Sequence, residues 1–595
     1  MSVLETPRIY FKGQVAWDPI TTNNYNFNYN EDSGETVFST VVDKVKAFRA
    51  QSITQVGAKG NWNPHGTHRV TFFDSAVCGY DAGAGTNSSD PFMNAAVNLK
   101  AMLVDLEPYG AITSQLFFDK MSLGVEGGYR IFAPRTSRMT ARYINFARNT
   151  ANRMIAGVAS VIWQASFSKS DGLRVDPFDS VALKSLDSAL KNDDVAGLTV
   201  RLNAYRTIYY DNPDLTNQSP ATAAAAKELS NKLNEGGFQP NPARSLMVGV
   251  IGIWRKGEPG HEPGDRVLVQ TANSPLGSAF VRAGSTSLTL DLANSVPEID
   301  KDLTKQDLGA LRVVTVDPTT QALTDLGVLQ YSQYNRSAYE AAAGIVTIPL
   351  TAAAAQTVKD KDIQILDANA NPLAAELPLR GIPATPNLYL DEGDQASASF
   401  QVYRRGVPAS ASITLNLYQM DAAGGQPSKV TQVKTDGNGT FTVPVPAGEG
   451  SITAYVPSFG ASDEPTGGVN PQVNTYMYIR VRPADAAIGQ LPPTWDNVYV
   501  NVLANWNAMA PCMDNWLKLD DPVQVKACAA ILKRLTDPAN FESFLFMPVT
   551  RDMSAGERTL LYNFLDSPPL QALLKTEAVR TSKFALLSRS MRVPD

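Results

Sequence analysis

MVGVIGIW, residues 247–254, is a nearly continuous apolar run with no alternation of polar and apolar side chains. Such a run predicts a central strand covered on both faces rather than a surface strand. The sequence around it keeps the same character. SLTLDLANSVP (287–297) and IVTIPL (345–350) have strand composition, so residues 241–383 read as a second β-rich region or as the completion of the first.

Upstream, residues 1–240 read as a β-rich domain with a helical insert. RIYFKGQVAW (8–17) has strand character and stops at Asp18-Pro19. VNLKAMLVDLEP (97–108) and AITSQLFFDKM (111–121) flank the turn PYG and predict a hairpin. GVASVIWQASFS (157–168) and GLTVRLNAYRTIYY (197–210) predict two more strands, the latter long and alternating. Between them Leu183, Leu186 and Leu190 fall at helical spacing over 180–191, with Asp179 placed to accept from the free N–H groups at the start. ATAAAAKELSNKLNEGG (221–237) predicts a further helix ended by its glycines.

Downstream, residues 384–484 predict an immunoglobulin-like β-sandwich. Short alternating segments recur at 397–404, 412–420, 439–445 and 451–457, and DGNG (436–439) is a turn signal between two of them. Residues 490–595 become helical. Val498, Val502, Trp506 and Met509 lie on one face. Asp521-Pro522 starts a helix whose stripe is Val525, Cys528, Leu532 and Leu535. Ser554 and Glu557 form a capping box, and Ser567-Pro568 starts another short helix. The fold class expected is therefore mainly β and multidomain, with a helical C-terminal region.

Composition agrees. A chain of 595 residues holds roughly three to five domains of ordinary size. Its 44% apolar content suffices for several cores, and only 18% of residues are charged. With a net charge of −6 and no basic block, nucleic-acid binding has no electrostatic support. No run approaches the ~18 apolar residues that span a bilayer. Glu5, Arg8 and Lys12 interrupt the first fifteen residues, which are no signal-peptide core. A soluble, cytoplasmic protein is expected. Cys78, Cys512 and Cys528 are an odd set without close pairs and read as free thiols.

Residues able to carry chemistry are few. His65 and His68, in NWNPHGTHRVTF (61–72), offer two imidazoles at i and i+3 and are candidate ligand-pocket residues. Tyr25 joins them, from the alternating polar and aromatic stretch 23–29. Glu258 and His261 have E-x-x-H spacing, but Pro259 and Gly260 between them break a helix. A surface turn after the apolar strand is expected there, and no metal site. GYDAGAGTN (79–87) reads as a flexible loop. No P-loop, dinucleotide fingerprint, nucleophile elbow or C-x-x-C occurs.

SVLETPRIYFKGQ (2–14), MVGVIGIWRKGE (247–258) and MPVTRDMSAGERTLLYNFL (547–565) belong together, with 178–202, 262–269, 287–297 and 386–394 in order between them. In this order they resemble the N-terminal, non-ferritin-like half of the iminophenyl-pyruvate dimer synthase family, the enzymes of the violacein biosynthesis protein B and chromopyrrolate synthase type. Members couple imines supplied by a partner amino-acid oxidase. A ferritin-like iron-binding domain follows the last stretch in them, whereas this sequence ends at residue 595. The resemblance implies iron or haem only through that other half, so no cofactor is expected here and no catalytic residue carries over. It implies an accessory or substrate-handling role in natural-product biosynthesis. The partners implied are a separate ferritin-like or amino-acid oxidase chain and an aromatic small-molecule ligand. A non-enzymatic scaffold for protein interaction is the alternative.

Overall fold

The computed structural model describes residues 3–17, 29–30, 35–36, 69–105, 114–125, 128–134, 140–145, 161–209, 243–296, 304–330, 334–421, 427–448, 451–459, 475–509, 517–548, 551 and 553–568. The protein is mainly β and built of several units.

The first unit contains β1 (Arg8–Trp17), β2 (Arg69–Asp81), β3 (Ala96–Asp105), β4 (Ser114–Val125), β5 (Thr140–Asn145), β6 (Val161–Ser168), β7 (Val195–Tyr209) and β8 (Ala243–Arg255). They pair antiparallel in the order β4-β3-β2-β1-β8-β7-β6-β5. The ring closes where Leu116 and Phe117 of β4 face Ala141 and Thr140 of β5. The result is a closed β-barrel, which leaves no free edge among these eight strands. Gly128–Ala133 and Arg174–Val175 extend the sheet beside β4.

Alternation sorts the barrel's side chains. Ile9 and Phe11 of β1, Trp163 and Phe167 of β6, Leu198 and Val200 of β7, and Met247 and Ile251 of β8 fill its interior. The apolar run 247–254 is buried on both faces, as its composition requires. Met247, Ile251 and Ile253 point inward, while Val248 and Val250 pack outward against Val267, Phe280 and Ile345 of the second unit.

Helix α1 (Val181–Leu190) adds Ala182, Leu183 and Leu186 to the interior cluster. Lying between β6 and β7, it plugs one end of the barrel. Its cap differs from the expected one. Asp179 points to solvent and pairs with Lys184 at 3.0 Å, and the Ser180 hydroxyl accepts from the Leu183 N–H instead. Asp90, from the β2–β3 connection, completes the cap by accepting from Val181 and Ala182 N–H. A carboxylate 90 residues away thus meets the positive end of the helix, which local pattern does not show.

The second unit comprises β9 (Arg266–Gln270), β10 (Ala279–Ala283), β11 (Ser287–Asp291), β12 (Ala310–Val316), β13 (Leu323–Gln330), β14 (Ile345–Pro349), β15 (Asp362–Leu366) and β16 (Pro372–Leu377). The order is β13-β12-β15-β16-β9-β10-β11-β14. The sheet curls until its edge strands meet at Gly327 and Ile348. Helix α2 (Arg336–Ala341) packs on β1 and β2 of the barrel, and α3 (Ala352–Asp360) lays Ala355 and Val358 on this second sheet.

The third unit is the immunoglobulin-like sandwich. One sheet holds β17 (Leu379–Pro383), β19 (Gln395–Arg404) and β22 (Thr440–Pro446). The other holds β18 (Asn387–Asp391), β20 (Thr414–Asp421), β21 (Ser428–Lys434), β23 (Ser451–Ser458) and β24 (Met477–Arg482) in the order β18-β24-β23-β20-β21. Strand β18 runs parallel to β24. Phe400 and Phe441 stack with ring centroids 5.0 Å apart in its core. Strand β21 is nearly all exposed and escapes a pattern search for that reason. The turn 436–439 therefore leads from β21 in one sheet to β22 in the other rather than closing a hairpin.

The C-terminal region is helical. Val498, Val502 and Trp506 share its core with Val525, Cys528 and Leu532. The helix expected from Asp521 is broken at Cys528 into α4 (Pro522–Ala527) and α5 (Ala529–Thr536). Asp521 caps it as predicted. Ser554 and Glu557 form the predicted capping box on α6 (Ala555–Asp566). The helices expected at 221–237 and after Ser567-Pro568 lie outside the described residues. Cys78 and Cys528 are free thiols, and Cys512 lies outside the described residues. No described helix is long and apolar enough to cross a membrane.

Candidate functional site

Residues 256–265 link β8 of the barrel to β9 of the second sheet. The surface turn expected for Glu258–His261 is instead covered, with His261, Glu262 and Asp265 all buried. The cause lies in the neighbours, because all three folded units converge on the link. From the barrel, the Ser166 hydroxyl donates to Gly260 O at 2.8 Å. From the first strand of the sandwich, Arg380 Nη1 donates to Pro263 O and Asp265 O at 2.8 and 3.0 Å. Its Nη2 reaches Glu262 Oε1 at 3.0 Å, and Thr475 donates to the same oxygen at 2.6 Å.

Arg201 of β7 is the centre of the junction and is fully buried. Its Nε donates to Gln164 Oε1 at 3.1 Å, Nη2 to Asp265 Oδ2 at 2.9 Å and Nη1 to Asp291 Oδ2 at 3.2 Å. Its guanidinium carbon lies 5.0 Å from the centroid of Phe280, with that of Arg380 5.9 Å from the same ring. One guanidinium thus ties the barrel to the link and to β11. Burial pushes the Asp291 carboxyl above its usual range against the pull of Arg201. Burial also lowers the Arg380 guanidinium against the pull of Glu262.

Beside this network Gln164, Thr199, Arg201, Trp254, Glu258 and Pro263 line a recess with room for about one water molecule. Glu258 Oε2 accepts from Arg255 N–H at 2.7 Å, and Trp254 Nε1 donates to Glu258 O at 3.0 Å. Burial, reinforced by the Asp265 and Glu5 carboxylates, raises the Glu258 carboxyl to about 7. Such a group holds or gives up a proton near neutral pH. Burial, with Glu258 nearby, raises the Tyr403 hydroxyl to about 12.

Tyr25, His65 and His68 lie outside the described residues. The connection that carries them joins Trp17 of β1 to Arg69 of β2, whose ends stand at the barrel end away from α1. Of the neighbours considered with them, Asp74 accepts from Gln14 at 3.1 Å and Cys78 Sγ contacts Glu340 O at 3.2 Å. Burial raises that thiol to about 12, so it is no nucleophile at neutral pH. The glycine stretch 79–87 is an ordered turn rather than a flexible loop. Asp81 Oδ1 accepts from Gly83 and Gly85 N–H, and Asp81 Oδ2 from Arg8 at 2.8 Å. Among the described residues no group of three or more His, Cys, Asp or Glu side chains is placed to hold a metal ion.

The fold and junction define a multidomain, mainly β protein whose units share a buried ionic link. No family model matches the chain. It is similar to a 2-imino-3-(indol-3-yl)propanoate dimerase of Chromobacterium violaceum, 25% identical over 417 residues, or 67% of this chain. The match spans 36% of that relative's length. The chain is thus a distant relative of an imine-dimerising enzyme. Among solved structures, Salmonella alpha-2-macroglobulin reacted with methylamine aligns with 80% of this chain and 31% of its own at 10% identity and a TM-score of 0.17. Native E. coli alpha-2-macroglobulin aligns with 81% and 35% at 8% identity and a TM-score of 0.13.

Proposed function

We propose that this chain is an accessory or substrate-handling component of natural-product biosynthesis that binds an aromatic α-imino acid or its coupled product. The observation that carries the reading is the similarity to the imine dimerase over two thirds of the chain. A ferritin-like or amino-acid oxidase chain is the proposed partner, and iron or haem belongs to that redox chemistry rather than to the described residues of this chain. Tyr25, His65 and His68 are the proposed ligand-pocket residues, and the proposed location is the cytoplasm.

Calorimetry of the purified full chain with indole-3-pyruvate, a stable keto analogue of the imine, tests the reading. The companion test is mass spectrometry of a reaction in which an amino-acid oxidase generates the imine in place. Saturable binding, or a changed fate of the imine when the chain is added, is expected. Replacing His65 and His68 together with Ala should weaken binding without lowering the melting temperature. Neither binding nor any change in imine products would overturn the reading. Elemental analysis and an absorption spectrum of the same sample test the metal assignment.

A further inference from the structure

The seam between the barrel wall and the sandwich leaves polar atoms without protein partners. Asn387, at the start of β18, is 5% exposed, and neither its Oδ1 nor its Nδ2 meets a hydrogen-bonding group. The Tyr389 hydroxyl, on the same face of that strand, and Gln115 Oε1, on the barrel wall, are likewise covered and unpartnered. One ring draws these atoms together. Gln115 precedes Phe117 by two residues on β4, so both side chains leave the barrel on its outer face. Tyr478 packs on Phe117 and is the register partner of Asn387. Natively buried polar groups nearly all have a partner, so orphaned amides on both walls of one seam point to a molecule that enters it.

The surroundings say what kind of molecule. The Tyr389 ring lies 4.1 Å from Phe541 and 6.4 Å from Tyr478 between centroids. Arg480 and Arg551, with Glu542, set the field at its hydroxyl. Tyr389 and Phe544 are only half-buried, so the seam reaches solvent at these rings. Arg69, the first residue of β2, is in register with Met102, and Met102 with Phe117. The seam thus stands at the barrel end away from α1.

We propose that this seam binds the ring and the α-imino acid group of the aromatic ligand, an assignment that rests on the function proposed above for its ligand class. The ligand's ring displaces that of Tyr389 and stacks against Phe541 and Phe117. Asn387 meets its polar end, because a side-chain amide offers an acceptor and a donor together. Its Oδ1 accepts from the imine N–H, and its Nδ2 donates to the carboxylate, which the guanidinium groups of Arg480 and Arg551 also favour. Gln115 Oε1 accepts from an indole N–H. Amides kept unpaired until a ligand arrives lower the stability of the free protein, the trade-off common to binding sites.

Calorimetry with indole-3-pyruvate, together with thermal melts, of the full chain and of the variants Asn387→Leu and Gln115→Met tests this. Both variants should melt at or above the wild-type temperature, because an apolar side chain of similar size removes an unpaired buried polar group. Both should bind the probe about tenfold more weakly or worse. If one variant fails to fold, the other decides. Wild-type affinity in the folded variants overturns this inference and leaves the proposed function standing, whereas no binding by the wild-type chain overturns both. Weakened binding with a lowered melting temperature would show that the amides serve the fold through bound water, and overturns the inference as well.

Discussion

The guanidinium of Arg551 lies over the ring of Phe117, 3.6 Å from its centroid, and joins the C-terminal helical region to the wall of the barrel. Arg551 is fully buried, adopts a left-handed backbone with φ 58°, and donates to Phe541 O at 2.9 Å and Ser543 O at 2.8 Å. Burial lowers its pKa to about 9. Met102, Tyr478, Tyr389 and Phe544 close around Phe117, so barrel, sandwich and helices meet at this ring.

A desolvated cation on a ring contributes about 2 kcal/mol. Arg551→Met and Phe117→Leu should each destabilise the docking of the helical region, and a double-mutant cycle should show coupling of about 1–2 kcal/mol. Denaturant unfolding followed by exchange of the α6 amides measures it. Strict additivity of the two substitutions would show that the ring and the cation do not interact.

That β8 is covered on both faces was readable in residues 247–254, because such burial leaves a continuous apolar run, whereas which residues face the barrel interior and which the second unit was not. The capping box at Ser554 was readable for the same local reason. The junction was not. Arg201, Glu258, Glu262, Asp265 and Asp291 all lie in stretches that carry the family resemblance, yet nothing in local spacing says that they meet. A charged residue on a strand looks like a solvent-facing position until a second unit covers it. The E-x-x-H of Glu258 and His261 reads as a surface turn, whereas Ser166, Arg380 and Thr475 from the neighbouring units cover the link that carries it.

Arg201 is the residue whose loss should be felt most. Its removal strands two buried carboxylates, Asp265 and Asp291, and breaking a buried ion pair from one side typically costs about 3–5 kcal/mol. Arg201→Met should lose that much at pH 8 and less at pH 5, because burial already raises the Asp291 carboxyl and the loss of Arg201 lets it take up a proton more readily. Adding Asp265→Asn and Asp291→Asn should recover much of the loss. Urea unfolding at both pH values decides. A loss that is equal at pH 5 and pH 8 would mean that packing, and not charge, is what Arg201 supplies.

Inside the barrel, Gly249 of β8 faces Phe11 of β1 directly across the strands. A Cβ on Gly249 would sit 2.2 Å from the ring of Phe11, so the aromatic ring occupies the space the glycine leaves. Gly249→Ala should cost about 1–3 kcal/mol by overpacking, and Phe11→Leu in the same chain should return part of it. Thermal melts of the three variants test this. A Gly249→Ala chain as stable as the parent would show that the ring can move aside freely.

Glu5 should respond to pH in the direction opposite to Glu258. Burial opposes its ionisation, but the amino terminus and Arg282 prevail and hold its carboxyl down to about 2. Arg282 Nη2 donates to Glu5 Oε1 at 2.6 Å and Arg255 Nε to Oε2 at 3.2 Å. Since the folded-state value lies below the ordinary 4.5, the stabilisation is complete above that pH and disappears as pH falls through about 2. Glu5→Gln should therefore cost about 1–2 kcal/mol at pH 7 after allowance for partial exposure, and the gap to the parent should close as pH approaches 2. Urea midpoints at pH 7, 4 and 2.5 measure it. Because Glu5 holds the start of the chain to β8 and β10 through its two arginines, a pH-independent gap would mean that the contact works by shape and hydrogen bonding alone.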